Sequence, residues 1–383
     1  MKITIVLGAF LPVPTTMGGA VEKVWLSLAA EFARRGHEIV MISRAMPELP
    51  REEVTDGVRH RRVPGFDTPR SLWWLKFLDL IYSWRTLPVL PAADIVVTNT
   101  FWLPLLLRDP SRGRLYVHVA RFPKGQMRFY GRAARLQAPS TAVVRAIMAQ
   151  APALASRTAV VPNPVPGPAT TLPPAAVAAR KKIILFVGRI HPEKGVHLLV
   201  QAFATGARTV FADWRLMIVG PAEARFGGGG ESYLASLEKA AQTASTQVTF
   251  TGSIFDSGEL ARSFSAARLF VYPSLAERGE SFGLAPLEAM SHGCAVLVSS
   301  LECFTDFVRE GETGFIFDHR APDAPQALGQ KMQEILADHS LLERVAEGGY
   351  GKSSEYSVPR VADLFLNDFQ AVMQESHVAG TNR

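Results

Sequence analysis

Short runs rich in β-branched residues alternate along the chain with longer stretches in which apolar positions recur at helical spacing. KITIVLG at 2–8 precedes a helical pattern over 19–35, followed by HEIVMIS and, further on, ADIVVTN and RLYVHVA. Strand and helix alternating in this way predict βαβ units and a parallel sheet. At 161–174 the text is VPNPVPGPATTLPP, which holds neither helix nor central strand and reads as a linker. The alternation then restarts with KIILFVG, WRLMIVG, TQVTFTG, ARLFVYP and CAVLVSS. Two similar α/β units are expected, 1–163 and 164–358, with an amphipathic helix over about 359–376 after them.

A length of 383 residues fits two domains of ordinary size, and 48% apolar with 20% charged residues fits a soluble globular chain. The apolar start is interrupted by Pro12 and Pro14, so it reads as a first strand rather than a signal peptide. No stretch of spanning length stays apolar and uncharged. Cys294 and Cys303 have no His or Cys at metal spacing and make no disulfide framework, which reads as two reduced thiols in a cytoplasmic protein. Charge is shared unevenly. Residues 1–170 hold 22 Lys and Arg against 11 Asp and Glu, and residues 171–383 hold 19 against 24. A basic half suits nucleic acid, an anionic membrane surface or an acidic substrate, and equally a surface kept charged for solubility. In RSLWWLKFLDLIYSW (70–84), Trp73, Trp74, Phe77, Leu78, Ile81 and Trp84 stand at helical spacing. We read this stripe as core first and as membrane or acceptor contact second.

Ligands of such sheets bind beyond the carboxyl ends of strands, so chemistry is sought there. LPVPTTMGGA after the first strand sets Gly18 and Gly19 at the mouth of a helix, where free N–H groups attract anions. GRIHPEKG (188–195) gives Gly188 for close backbone approach and two cations, Arg189 and Lys194, although Lys194 with Gly195 also reads as a solvated turn. RLYVHVA carries His118 at the tail of a strand, which taken alone reads as a satisfied core histidine, with Arg121, Lys124 and Arg128 nearby.

ERGESFGLAPLEAMSHG (277–293) places Glu280 and Glu288 eight apart with no other charge between them. In one continuous helix they would lie ~12 Å apart along the axis, too far for a glycosidase pair. The expected helix is 282–292, with Ser281 as cap, Pro286 in the first turn and Gly293 as the stop. Glu280 then precedes the helix and Glu288 lies on its second turn, with first-turn N–H groups between them. That arrangement suits a phosphorylated, hydroxyl-rich ligand such as a sugar nucleotide. It also fits a helix-start acid and a solvated one. The chain has no G-x-G-x-x-G after a strand, no G-x-x-x-x-G-K-[ST], no H-E-x-x-H and no Asp-x-Asp. These absences disfavour the commonest dehydrogenase, P-loop and zinc-protease readings.

Taken together, Gly18-Gly19, FVGRIHPEKGVHLLVQAF, the Glu-x7-Glu stretch and VPNP at 161–164 resemble the retaining, nucleotide-sugar-dependent glycosyltransferases of family 4. The resemblance implies the α/β GT-B fold, two facing Rossmann-like domains with the active site in the interdomain cleft and the last helix crossing back onto the first domain. It implies that Glu280 holds donor-sugar hydroxyls, that N–H groups of Phe282, Gly283 and Leu284 meet sugar and phosphate, and that Glu288 holds the ribose. Arg189 and Lys194 would bind the diphosphate in place of a metal, with Gly188 alongside and Gly19 adding its N–H. The base would lie near Gly252, Ser253, Ile254, Tyr272 and Pro273, and His118 would serve near acceptor and donor sugar. No cofactor and no nucleic acid are expected; the partners are a nucleotide-sugar donor and a saccharide, lipid-linked or small-molecule acceptor, with peripheral membrane association. Two other readings are an epimerase or phosphorylase of the same fold and a non-catalytic scaffold. Lys194→Ala is expected to lose turnover while folding normally.

Overall fold

The computed structural model describes residues 1–14, 19–69, 71–165, 176–244 and 246–380, the side chains of 376–380 excepted. Gly18 and the 166–174 part of the expected linker lie outside the described residues. The chain divides into two units, Met1–Pro166 with Ser357–Arg383, and Gly167–Tyr356.

In the first unit β1 (Lys2–Val6), α1 (Ala20–Arg34), β2 (Glu38–Ala45), β3 (Glu52–Thr55), β4 (Val58–Pro64) and α2 (Leu72–Thr86) come first. They are followed by β5 (Ile95–Thr98), the single turn α3 (Leu103–Leu106), β6 (Arg114–His118), β7 (Arg135–Ala138), α4 (Thr141–Gln150) and β8 (Thr158–Val160). The sheet runs β3-β4-β2-β1-β5-β6-β7-β8, parallel throughout except where β3 meets β4. Strands such as Ile95–Thr98 and Arg135–Ala138 are buried at every position, as expected of strands covered on both faces.

The second unit contains β9 (Ile183–Val187), α5 (Val196–Gly206), β10 (Arg215–Val219), α6 (Glu231–Ala240), β11 (Val248–Gly252) and α7 (Ser257–Ala266). Then come β12 (Leu269–Tyr272), α8 (Leu284–Ser291), β13 (Ala295–Ser299), β14 (Phe315–Phe317), α9 (Ala324–Ala337) and α10 (His339–Ser353). Its sheet is all parallel in the order β11-β10-β9-β12-β13-β14. Strand order reverses between β9 and β12, and in the first unit between β1 and β5. These are the positions where open α/β sheets leave a crevice at their carboxyl ends.

The last helix, α11 (Val358–Gly380), belongs to the first unit. It lies on α1 and β6. Phe365 meets Trp25 with ring centroids 5.1 Å apart, and Phe369 meets Tyr116 edge-on at 4.8 Å. Asp368 accepts from the Tyr116 hydroxyl at 2.7 Å and pairs with Arg135 at 3.0 Å.

One expectation is overturned. The aromatic stripe of α2 does not enter the core: Trp73 is 82% exposed, Trp84 68%, and Trp74 58%, with Phe77 also exposed. The helix buries its polar positions Asp79, Ser83 and Thr86, with Tyr82, instead. Asp79 explains the choice of face, because its carboxylate accepts from the N–H groups of Phe101 and Trp102 at 3.0 and 3.2 Å at the start of α3. Burial nevertheless pushes that carboxyl up to about 6, the two N–H bonds only partly opposing it.

Candidate functional site

The loops after β9 and β12, the two strands flanking the reversal, carry Lys194 and Glu280. Lys194 closes a short 3-10 turn, Pro192–Lys194, whose cap is His191; Glu280 lies in the loop ahead of α8. Both side chains are buried, and Lys194 Nζ donates to Glu280 Oε2 at 2.7 Å. Ser274 Oγ donates to the same oxygen at 3.2 Å, and Ser299 Oγ at the end of β13 holds the Ser274 carbonyl at 2.6 Å. Burial alone would lower the Lys194 ammonium, but Tyr272 and Glu280 beside it more than offset this and keep it above its ordinary value. Lys194 Nζ also sits 5.5 Å from the centre of the Tyr272 ring. Tyr272 is buried and ends β12, stacked on Phe186 at 5.6 Å.

Two glycines allow this approach. Gly195, at φ 66°, caps α5, and a Cβ there would stand 1.9 Å from the Pro273 carbonyl oxygen. Gly283, at φ 89°, caps α8, and its Cβ would meet the Phe304 ring at 2.5 Å. Only glycine suits both the left-handed backbone and the contact.

The α8 start therefore differs from the expectation. The helix begins at Leu284 rather than at 282, because Gly283, which has no side chain to cap with, takes the cap position. Ser281 is half-buried and is not the cap. A glycine at the cap offers the first-turn N–H groups no side-chain acceptor of its own, and the buried Phe282 lies just ahead of them. Glu288 is on the second turn as expected, half-buried.

Arg189 is exposed and engaged on both sides. Nη2 donates to Glu193 at 2.6 Å and Nη1 to the Gly227 carbonyl at 2.7 Å. Its partner Gly227 belongs to the long segment at 220–233, which thereby reaches the cations of the 188–195 loop. Gly188 and Gly252 follow at the ends of β9 and β11, with Ile254 half-buried beyond.

In the first unit, Gly19 caps α1 at φ 111° without a side-chain cap. The acid three residues on, Glu22, is buried, and burial raises its carboxyl despite the bond to its own N–H and the charge of Arg121. His118 ends β6, buried, with Nδ1 2.6 Å from Gln137 Oε1. Gln137 Nε2 donates to the Val161 carbonyl at 2.6 Å, which turns Oε1 toward the imidazole as an acceptor. Nδ1 then carries the proton, and Nε2 is a buried acceptor with no hydrogen-bond partner among the described residues. Burial lowers the imidazole to about 4, so the ring is neutral at physiological pH. Trp25 packs against it edge-on at 5.3 Å.

Sequence reasoning missed Gln137, Trp25, Ser274 and Glu22. Glu22 had a local signal, an acid in the first turn of a glycine-started helix. The other three act between elements distant in sequence and leave no local pattern. Both cysteines are buried and free, and burial pushes the Cys294 thiol up to about 12. Among the described residues no helix is long and apolar enough to cross a membrane.

Comparison with known proteins defines the class. The model for group 1 glycosyl transferases matches residues 171–352, and that for Glycosyltransferase Family 4 matches 17–166. The chain belongs to the family 4 glycosyltransferases, with the GT-B fold of two parallel-sheet α/β domains. A phosphatidyl-myo-inositol mannosyltransferase of Mycobacterium tuberculosis (strain ATCC 25618 / H37Rv) is 30% identical over 50% of this chain and 47% of its own. The match thus spans about half of that relative's length. The Mycobacterium leprae (strain TN) protein of the same description is 26% identical over 96% of both chains. Among solved structures, sucrose-phosphate synthase from Thermosynechococcus elongatus superposes with a TM-score of 0.77 at 20% identity, covering 98% of this chain and 99% of that one. An Anabaena protein, HepE, in complex with UDP and glucose does so at 0.70 and 18%, covering 97% and 99%.

Proposed function

We propose that the protein transfers a glycosyl group from a nucleoside diphosphate sugar to a saccharide, lipid-linked or small-molecule acceptor, with retention at the anomeric carbon and without a metal. The observation that carries this reading is the buried Lys194–Glu280 pair at the β9/β12 reversal, beside the glycine-started, side-chain-uncapped helix α8. Glu280, anchored by Lys194 and Ser274 through one oxygen, accepts hydroxyls of the donor sugar. Phe282, Gly283 and Leu284 offer N–H groups to sugar and phosphate, and Glu288 takes the ribose. Lys194 and Arg189 face the diphosphate, Arg189 by exchanging Glu193 and Gly227 for phosphate oxygens. Gly188, Gly252, Ile254 and Tyr272 border the nucleotide.

In the reaction, the acceptor oxygen bonds to the anomeric carbon as the bond from that carbon to the phosphate oxygen breaks. The electron pair goes to the phosphate, which takes the acceptor's proton on the same face. Charge grows on the departing phosphate, and fixed donors are most effective where charge develops. Gly19, at the start of α1 in the first unit, offers its N–H to an anionic group of a ligand. His118, neutral with Nε2 as acceptor, receives a hydrogen bond from a sugar or acceptor hydroxyl. The UDP and glucose held by the Anabaena protein support a donor of this chemistry, and the names of the mycobacterial relatives support a lipid-linked acceptor.

The test is turnover of nucleotide sugars with and without added acceptor, in the presence of EDTA. Acceptor-dependent release of nucleoside diphosphate is expected. Product formed without any acceptor, or turnover abolished by EDTA and restored by a divalent ion, contradicts the reading.

A further inference from the structure

The α2 helix is built inside out. Trp73, Phe77, Leu80 and Trp84 follow one another at spacings of four, three and four, so they share one stripe, about 17 Å long at the α-helical rise. That stripe points away from the unit: Trp73, Phe77 and Trp84 are exposed and Leu80 half-buried. Asp79, hydrogen-bonded to the start of α3, fixes the rotation of the helix, so the aromatic face is part of the folded design.

At the carboxyl end of this stripe a cavity of about 560 Å³ is lined by Trp84, Arg51, Arg62, Arg85, Pro88 and Val89, among others. Arg62 is buried, and although Glu53 neutralises it, its Nε has no hydrogen-bond partner among the described residues. Arg85 is half-buried, held by the Pro64 carbonyl at 3.0 Å and lying over the Phe66 ring at 5.1 Å. Arg51 is exposed, and neither it nor Arg85 has an ion-pair partner among the described residues. The cavity lies by β4, four strands along the sheet from His118 on β6, roughly 19 Å at the usual strand spacing.

We propose that this face docks on an anionic phospholipid surface: α2 lies in the interface with Trp73, Phe77 and Trp84 at the headgroup and acyl boundary, and the arginine-lined cavity beside Trp84 receives a lipid phosphate. Tryptophan suits that boundary because its ring is apolar and its N–H polar. A helix with one aromatic face, flanked by cations and too short and polar to span, lies on a membrane rather than crossing it. The charge agrees, since residues 1–170 carry 22 basic against 11 acidic side chains. A second copy would bring two such basic faces together, which like-charge repulsion opposes. The inference does not depend on the transferase reading.

Sedimentation of the full chain with vesicles tests it. We expect the protein to pellet with phosphatidylcholine vesicles containing phosphatidylglycerol, far less with phosphatidylcholine alone, and less as salt rises. Trp73→Ser with Trp84→Ser, and separately Arg51→Gln with Arg85→Gln, are each expected to weaken binding by about tenfold or more, as two lost contacts of about 1 kcal/mol each imply. Circular dichroism and thermal unfolding of the same variants report that they remain folded and are expected to be unchanged. No pelleting of the wild type with anionic vesicles, or pelleting that neither pair of substitutions weakens, overturns the proposal. So does a concentration-dependent dimer, or a complex with a protein partner, that the tryptophan substitutions abolish while vesicle binding persists.

Discussion

Lys194 and Glu280 are 86 residues apart, and no spacing rule joins them. Only the resemblance placed both at one ligand, and the contact itself required the β9/β12 reversal. The structure also changes what Lys194→Ala should do. Removing the ammonium leaves a carboxylate buried without its partner, which costs about 3–5 kcal/mol. Lys194→Ala is therefore expected to unfold at lower denaturant as well as to lose turnover, by about 10²-fold or more if the cation acts on the leaving phosphate. Chemical denaturation of the variant checks the first part, and unchanged stability contradicts it. His118 offers a second test at this scale. Its imidazole is lowered to about 4 by burial, whereas the unfolded chain titrates near the ordinary 6.5. Between those values the unfolded state binds more protons than the folded one. The stability His118 contributes is complete above about pH 6.5 and is lost as pH falls toward 4. An NMR titration should find the ring still neutral at pH 5, and a midpoint near 6.5 contradicts the buried assignment. The histidine was legible as a strand-end residue, but its tautomer was not, because that is set by Gln137 on the next strand.

Among the elements, α8 shows how a glycine relocates a boundary. The stretch around Ser281 has the letters of a serine cap, yet Gly283 starts the helix because the Phe304 ring leaves no room for a side chain there. Gly283→Ala combines a left-handed backbone with that contact, and a loss of roughly 2–4 kcal/mol is expected from strain and overpacking together. Thermal unfolding checks it, and a neutral substitution contradicts the geometry. The α2 helix makes the complementary point. Periodicity correctly grouped Trp73, Phe77 and Trp84 on one face, but it does not say which face turns inward. The aromatic stripe outweighs the polar one in apolar content, so pattern alone sends it to the core. Asp79 decides otherwise through bonds to Phe101 and Trp102, residues 22 and 23 positions away. The final helix was legible in extent and in amphipathicity, and its partners Trp25, Phe32 and Tyr116 were not. Phe369→Ala should cost about 3–5 kcal/mol in thermal unfolding, since the side chain is fully buried against Phe32 and Tyr116.

At the scale of the molecule, the alternation of strand and helix, interrupted at 161–174, was enough to foresee two parallel α/β units. Parallel strands covered on both faces leave near-continuous apolar runs, which are easily read. The order of strands is less visible, since crossovers leave no mark in composition. That order matters here, because it sets the loops after β9 and β12 side by side and so brings Lys194 onto Glu280, just ahead of α8. The basic excess of residues 1–170 and the outward tryptophans of α2 belong to the same unit, while the proposed diphosphate ligands Arg189 and Lys194 belong to the other. The account centres on a nucleotide held by the second unit between its two acids. Calorimetric titration of the protein in EDTA against UDP, GDP, ADP and dTDP, repeated with Glu288→Ala, tests this most directly. The account predicts that one of the four binds and that the substitution weakens it by about tenfold or more, the scale of a lost charge-assisted hydrogen bond. Binding by none of them, or binding indifferent to Glu288, would contradict it.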